Sequence, residues 1–596
     1  MGGRYTIAGM RGWSEVAERV AATTRTSEKT DLLAHYLSQL APIELRAAAT
    51  FLAGRPFSEV DQRAVGLGWA SISAAVGHVA GTPAGALGAA YDRYSDLGMA
   101  VAEVLELRPD PPDPAAGPSL AEVGAAFSAI EAATGASAKT AVFADLISRC
   151  DAKSAKYVVK ILTGELRIGG REGLLEAAIA QAFDRPAAAV SLASMLTGDL
   201  GGTAVLARED RLAEARMRLM HPIKFMLASP AENSAEIVRR LGPTVWVEDK
   251  YDGIRAQLHR RGSEVRLFSR DLHDISGQFP EIVAAARELP WDGILDGEIL
   301  AFADDRVLPF LTLQARLGRK DPLPSMQAQV PVIYVAFDVL GLKEATNDGA
   351  GRAGEPPREV DSLLEVPLAQ RRRRLEALNL PAVESGGRFA FSHLVRADSV
   401  EALDRVFAEA RARNNEGLMV KDPESGYTPG RRGLGWLKMK RALATLDCLV
   451  VGVEVGHGKR HGVLSDYTFA VRDETAGKLV TIGKAYTGLT DAEIAEMTGW
   501  FEAHTIRQYG RFRQVEPLIV VEVAFDVIAR SSRHQSGFAL RFPRIVRLRP
   551  DKGPADIDSL ATVERLHGEL QAGAEYLVTA AARKGAGPHV AGELRR

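Results

Sequence analysis

The sequence predicts a multidomain protein with an all-α N-terminal part, a mixed α/β centre and an all-β C-terminal part, and three changes of texture predict it. Residues 1 to about 205 are rich in Ala, Leu and Glu, with apolar residues at helical spacing as in DLLAHYLSQLAPIELRAAATFLAG and LLEAAIAQAF, the mark of amphipathic helices. From about residue 221 the chain turns to short β-branched alternations, TVWVEDKYDG, VRLFSRD, GILDGEILAF and VIYVAFDVL, which are strand signals separated by helices. Beyond about residue 445 only strands and turns are read, in DCLVVGVEVG, DYTFAVRD, KLVTIGKAY, LIVVEVAFDVI and FPRIVRLRP.

Each part follows from those patterns. A chain of 596 residues is too long for one core. We divide it into a helical domain (1–205), an α/β domain (206–442), a β domain (443–575) and a flexible tail (576–596) rich in Gly, Ala and Arg. Within the helical part, Arg108-Pro-Asp-Pro-Pro-Asp-Pro114 cannot continue a helix, because proline lacks the amide donor and clashes with the preceding turn; it is read as a linker between helical layers. The stretch 344–361, EATNDGAGRAGEPPREVD, reads as an exposed, mobile insertion without chemistry. Five short strands predict a small barrel of OB type for the last domain.

Composition narrows little further. With 46% hydrophobic and 25% charged residues the chain matches an ordinary globular protein, and no apolar run is long enough to cross a bilayer. The first residues carry no continuous apolar stretch of a secretion signal, so a cytoplasmic, prokaryotic setting is expected. Two cysteines, Cys150 and Cys448, stand far apart and can build neither a disulfide framework nor a four-cysteine zinc site. A formal charge of −2 means that affinity for a polyanion must come from local basic surface.

The chemistry concentrates in Glu248-Asp-Lys250-Tyr-Asp252-Gly253-Ile-Arg255. It ends a predicted strand, and Gly253 allows a tight turn just after the lysine, so Lys250 projects from a fixed edge. A lysine that attacks phosphorus must be deprotonated, and burial or neighbouring cations lower its pKa. Further along come Ser269-Arg270-Asp271, Asp296-Gly-Glu298, Phe337-Asp338, Glu416-Gly-Leu-Met-Val-Lys421, Trp436-Leu-Lys438-Met-Lys440 and Arg541-Phe-Pro-Arg544.

In this order the motifs resemble those of the covalent nucleotidyltransferase superfamily of ATP-dependent DNA ligases, RNA ligases and mRNA capping enzymes. The resemblance implies that Lys250 is the nucleophile, supported by Asp252 and Gly253. It implies that Glu248 reads the adenine amino group, that Phe337 stacks on the base, and that Arg255 with Glu298 positions the ribose. Arg270, Arg432, Lys438 and Lys440 would bear on the phosphates. Glu298 and Glu416 suit magnesium, with manganese as a substitute. Arg541 and Arg544 would fold over the ATP phosphates and then swing away.

Taken singly, these residues have plainer readings. Phe337 in VIYVAFDVL reads as core packing, and Glu298 as a solvent-face carboxylate; motif order reverses both. The run Arg371-Arg-Arg-Arg374 in LAQRRRRLEALNL is read as a solvated helix face. Gly456-His-Gly-Lys-Arg-His-Gly462 lacks the spacing of a phosphate-binding P-loop, and His457 and His461 have no helix to hold a metal; a hairpin fits better, and its resemblance to the Gly and Lys/Arg-rich turn in the OB-fold of DNA ligases implies a DNA contact.

The flanking parts choose among family members. Lys160-Ile-Leu-Thr-Gly-Glu-Leu-Arg-Ile-Gly169 resembles a motif in the helical DNA-binding domain of larger ATP-dependent DNA ligases. Pro222-Ile-Lys-Phe-Met-Leu-Ala228 looks like their linker, with Phe225 where proline is common. The absence of four cysteines argues against an NAD-dependent ligase. From Arg530 through Lys552 seven Arg or Lys face one Asp, which suits phosphate contact. The expected activity is ATP-dependent sealing of nicked double-stranded DNA through lysyl-AMP and 5′-adenylated DNA, by a monomer without membrane contact. The alternatives are an RNA ligase or capping-type enzyme, and a non-catalytic DNA-binding scaffold.

Overall fold

The computed structural model describes residues 9–576 apart from 62, 114–115, 304–305, 320, 344–359, 413–414, 431, 441–443, 457–459, 461 and 573–574. Nearly all of the 344–361 insertion, the tail beyond residue 576 and most of the 456–462 turn therefore lie outside the described residues. The chain forms two compact units, residues 1–439 with 575–596, and residues 440–574. Among the described residues no helix is long and apolar enough to cross a membrane.

The first unit opens with twelve α-helices among the described residues, from Gly9–Ala22 to Leu200–Arg208. They enclose one apolar core that runs from Met10 and Trp13 to Ala204 and Ala207. The proline-rich break does more than join layers: Arg108 is buried and donates to the carbonyl oxygens of Ser148 (3.3 Å) and Cys150 (2.6 Å), occupying orphan acceptors at the end of helix Ala136–Ser148 as helix ends require. Lys160, which opens the ligase-like helical motif, is buried and paired with Asp96, the N-cap of helix Leu97–Glu106. The motif thus begins in the packing between two helices.

Two sheets then frame the α/β part. The first runs β1 (Leu227–Pro230), β12 (Arg432–Lys440), β11 (Gly417–Lys421), β2 (Val245–Lys250), β10 (Leu394–Ala397). The second is built on β3 (Ile254–Arg261), β4 (Glu264–Ser269), β5 (Gly293–Ala303) and β7 (Val332–Leu342), with the short strands β6 (Arg306–Val307), β8 (Asp361–Ser362) and β9 (Phe389–Phe391) at its margins. Helices Ser234–Leu241 and Val400–Ala412 cover the outer side of the first sheet and Pro280–Arg287 that of the second. Between the sheets lie Met226, Ala228, Ile294, Leu340, Tyr427 and Trp436. The turn Tyr251–Gly253 carries the chain from β2 in one sheet to β3 in the other, so Lys250 stands at their junction.

Alternate residues of β3 hold the segment that enters this domain. Arg255 donates to the carbonyl of Met226 (2.7 Å), Gln257 exchanges two bonds with the backbone of Ile223 (2.6 and 3.1 Å), and His259 accepts from the Met220 amide (3.2 Å). The period of two that alternates a strand's faces puts all three on one side.

One expectation is corrected here. The arginine run is only half a solvated face: Arg373 and Arg374 are exposed, but Arg371 and Arg372 of helix Leu368–Glu376 are buried. They fall three and four residues after Leu368 and four and three before Leu375, which is the inward stripe of an α-helix, and buried partners await them.

The second unit is β-rich. β13 (Ala444–Val455) pairs along one side with β14 (Leu464–Asp473), which pairs with β15 (Lys478–Ala485). Along its other side β13 meets first β18 (Val520–Phe525) and then β17 (Phe512–Val515). β16 (Thr505–Tyr509) pairs with β17, β21 (Arg544–Leu548) with β18, and β19 (Val527–Arg530) with β20 (Phe538–Arg541). Among the described residues nine strands replace the five expected, and two helices, Asp491–Ala503 and Leu560–Ala572, interrupt what the sequence suggested was strand and turn only. A Thr490–Glu493 capping box starts the first of them, a helix-start signal that the emphasis on strands passed over.

Candidate active site

The junction of the two sheets gathers polar groups in an otherwise apolar layer. Lys250 is hydrogen-bonded and ion-paired to Glu416, and it feels the carboxylates of Glu298 and Asp252. Strand register explains the gathering: Gly417 stands opposite Lys250, Met419 opposite Glu248, and Arg255 opposite Glu298. Gly253 is required by close approach. A Cβ there would stand 2.5 Å from Leu300 Cδ2, 2.6 Å from the Ile299 oxygen and 2.8 Å from Glu298 Cγ, well inside contact distance.

The charges set protonation. Burial pushes the Lys250 ammonium down, but Glu416, Glu298 and Asp252 outweigh it and leave its pKa above the ordinary value. This corrects the expectation of a lowered lysine: the resting carboxylates hold the proton on it. Burial, aided by Asp296 and Asp252 and opposed by Lys250 and Arg255, raises the Glu298 carboxyl to about 8.

A second group of residues lies behind. Glu248 is buried; its Oε2 accepts from Lys421 Nζ at 2.6 Å, while its Oε1 makes no hydrogen bond among the described residues and is 3.6 Å from Arg372. A buried carboxylate oxygen without a donor is costly and suits an incoming amino group. Lys421 Nζ lies 4.7 Å from the Phe337 ring centroid and 4.4 Å from that of Trp436. Phe337 is the extra residue at a bulge in the β5–β7 pairing, between Ala336 opposite Gly297 and Asp338 opposite Asp296. Bulges re-aim side chains, and here the ring meets Trp436 edge-on at 6.2 Å.

Arg255 is more firmly held than a ribose-binding role alone would need. Its guanidinium takes both oxygens of Asp296 (3.0 and 2.7 Å), and Tyr427 OH donates to the same carboxylate at 2.7 Å while accepting from the Met226 amide at 3.0 Å. Behind Phe337, Asp338 receives two bonds from Arg371 (2.8 and 2.9 Å), and Arg372 donates to Ser392 Oγ and oxygen (2.7 and 2.8 Å).

The structure thus brings Glu248, Lys250, Arg255, Glu298, Phe337 and Glu416 to one junction. Arg270 is exposed just after β4; Arg432 is exposed at the start of β12, and Lys438 and Lys440 lie near its end. Arg541 and Arg544 are exposed in the second unit, at the end of β20 and the start of β21. Sequence reasoning gave no role to Lys421, Asp296, Asp338, Arg371 or Tyr427. The signal for the acids was present, since a carboxylate at the centre of an apolar strand needs a buried partner.

Comparison with known proteins adds what geometry cannot. The family model described as ATP dependent DNA ligase domain matches residues 225–440, DNA ligase N terminus matches 11–180, and ATP dependent DNA ligase C terminal region matches 460–552. The chain is 46% identical to a "Probable DNA ligase" of Koribacter versatilis, covering 93% of this chain and 96% of that one. It is 32% identical to a "DNA ligase" of Archaeoglobus fulgidus, covering 93% and 98%. The solved structure named Pmar-Lig_PreS3 shares the fold with a TM-score of 0.58 at 16% identity, covering 90% and 99%.

Proposed function

Because the chain belongs to the ATP-dependent DNA ligase family, an enzyme class that takes AMP from ATP and acts on DNA, we propose that Lys250 carries the AMP and that the acceptor is nicked double-stranded DNA. The observation that supports this reading best is the Lys250–Glu416 pair, a lysine at the seam between two sheets bonded to a carboxylate that can accept its proton.

The steps follow from the groups present. Glu416 takes the ammonium proton, and Lys250 Nζ attacks the α-phosphorus of ATP; a P–N bond forms and pyrophosphate leaves. An oxygen of the 5′ phosphate then displaces the lysine, forming 5′-adenylated DNA, and the 3′ hydroxyl displaces AMP to close the strand. Glu248 Oε1 accepts the adenine amino group, Phe337 stacks on the base, and Arg270, Arg432, Lys438 and Lys440 offset phosphate charge. Arg541 and Arg544 serve the first step. Arg255 acts by keeping Asp296 and the Met226 segment in place beside the ribose.

Glu298 and Glu416 form a two-carboxylate donor set beside Lys250, which fits magnesium held by one or two carboxylates plus substrate phosphate. When bound, that ion supplies positive charge to the phosphate oxygens and offsets the acids that keep Lys250 protonated. Action as a monomer in the cytoplasm belongs to the same proposal, and two buried, unbridged cysteines suit a reduced compartment.

The test is incubation with magnesium and ATP labelled on the α-phosphate, followed by denaturing electrophoresis, then addition of nicked duplex to the labelled protein. Label should attach to the wild type, leave when DNA is added and appear with closed strands; Lys250→Arg should take none, since guanidinium stays protonated. An adduct on Lys250→Arg would overturn the assignment, and label that nicked DNA does not discharge would overturn the acceptor.

A further inference from the structure

The β16–β17 ribbon of the second unit is unused by the chemistry above. Its turn, Gly510-Arg511, has a positive φ of 58° at Gly510 only, the pattern of a type II′ hairpin turn. The root is fixed: Val515 is buried, and Phe512 packs so closely on Gly452 of β13 that a Cβ there would lie 2.3 Å from its ring. The outer strand is bare. Among the described residues β16 pairs only with β17, and Ile506 and Tyr509 are 57% and 50% exposed.

Edge strands usually protect themselves with charge and keep apolar residues off the open side. Here two large apolar side chains are displayed, which leaves the edge open to a partner. The charge says what kind of occupant. From residue 503 to 515 there are three arginines, one histidine and no acid. The Arg507 guanidinium lies 4.8 Å from the Tyr509 ring centre, is exposed, and has neither ion pair nor hydrogen bond among the described residues. A bulge between Thr505 and Arg507 skews the strand at that point. Arg511 instead holds the Val455 oxygen at 2.8 Å and Arg513 lies 3.9 Å from Glu502, so Arg507 is the cation left for a partner. An arginine stacked on an exposed tyrosine offers a bidentate phosphate donor beside a flat face for sugar or base.

We infer that the β16–β17 ribbon grips the backbone of duplex DNA, with Arg507 on a phosphate and Tyr509 against the adjoining sugar. The inference rests on the DNA ligase reading and deepens it by adding a surface to the DNA footprint. It is tested with Arg507→Glu and Tyr509→Ser in the full chain. Anisotropy titrations of the adenylated proteins against a nicked duplex are run at three salt concentrations. Adenylation by ATP and thermal unfolding should match wild type. Arg507→Glu should bind nicked duplex roughly tenfold more weakly, with a log–log salt slope shallower by about 1. Binding equal to wild type overturns the inference, as does a wild-type dimer in light scattering that either variant dissolves, which would make a second copy the occupant. A wild-type protein that seals no nick would instead count against the functional reading.

Discussion

Asp338 and Arg371 form a completely buried ion pair, joined by two hydrogen bonds of 2.8 and 2.9 Å, directly behind the ring that faces the candidate nucleotide pocket. Removing one partner strands the other charge in an apolar layer, so Arg371→Met should cost about 3–5 kcal/mol. The double variant Asp338→Leu with Arg371→Met should recover most of it. Urea unfolding of both, followed by intrinsic fluorescence, reads the difference.

Glu248 offers one oxygen to Lys421 and leaves the other without a hydrogen bond. Glu248→Ala should therefore weaken ATP binding and lower the preference for ATP over GTP by about tenfold, the size of one hydrogen bond to a charged acceptor. Competition binding with both nucleotides checks it; an unchanged preference would remove Glu248 from base recognition.

Gly253→Ala introduces a methyl into a space already filled by Leu300, the Ile299 oxygen and Glu298. The strain should cost about 1–3 kcal/mol, less than global unfolding, while the displaced turn carries Lys250 off line and slows adduct formation by about 100-fold. Quenched-flow labelling beside a melting curve separates the two effects.

His259 is fully buried, accepts from the Met220 amide at Nδ1 and sits 3.2 Å from Gln257 at Nε2, so its neutral form is the one accommodated. Burial, and secondarily the charge of His221, lowers its pKa from 6.5 to about 3. Below pH 6.5 the unfolded chain takes up a proton that the folded chain refuses; stability from this residue therefore falls as pH drops from 6.5 towards 3, and is constant above. Between pH 7 and 5.5 the wild type should lose about 1 kcal/mol more than His259→Gln, measured by urea unfolding at both values.

How much could be read beforehand differs from residue to residue. Lys250, Glu298, Phe337 and Glu416, which the structure gathers at one junction, are singled out by the order of short motifs, because the chemistry confines residue types locally. The three-part succession of helix, α/β and strand was legible from periodicity. The supporting ion pairs were not, because Asp338 meets Arg371 and Asp296 meets Arg255 across 33 and 41 residues, and no local pattern names a distant partner. Arg371 and Arg372 were misread because charge was weighed above position, although Leu368 and Leu375 set the inward stripe. The protonation of Lys250 depends on its neighbour Asp252 and on Glu298 and Glu416, two carboxylates from separate segments that only the assembled sheets bring near.

The hold of β3 on residues 220–226 bears on where this enzyme can be cut. A fragment beginning at Phe225 would keep every chemical motif from Lys250 to Lys440, yet would leave Gln257 and His259 buried with the backbone of Ile223 and Met220 gone. It would also lose Met217, Leu219 and Ile223 from the layer between the sheets. The smallest autonomous catalytic piece must start ahead of Met217, so the segment that links two domains by position is, by inheritance of its contacts, the first piece of the second.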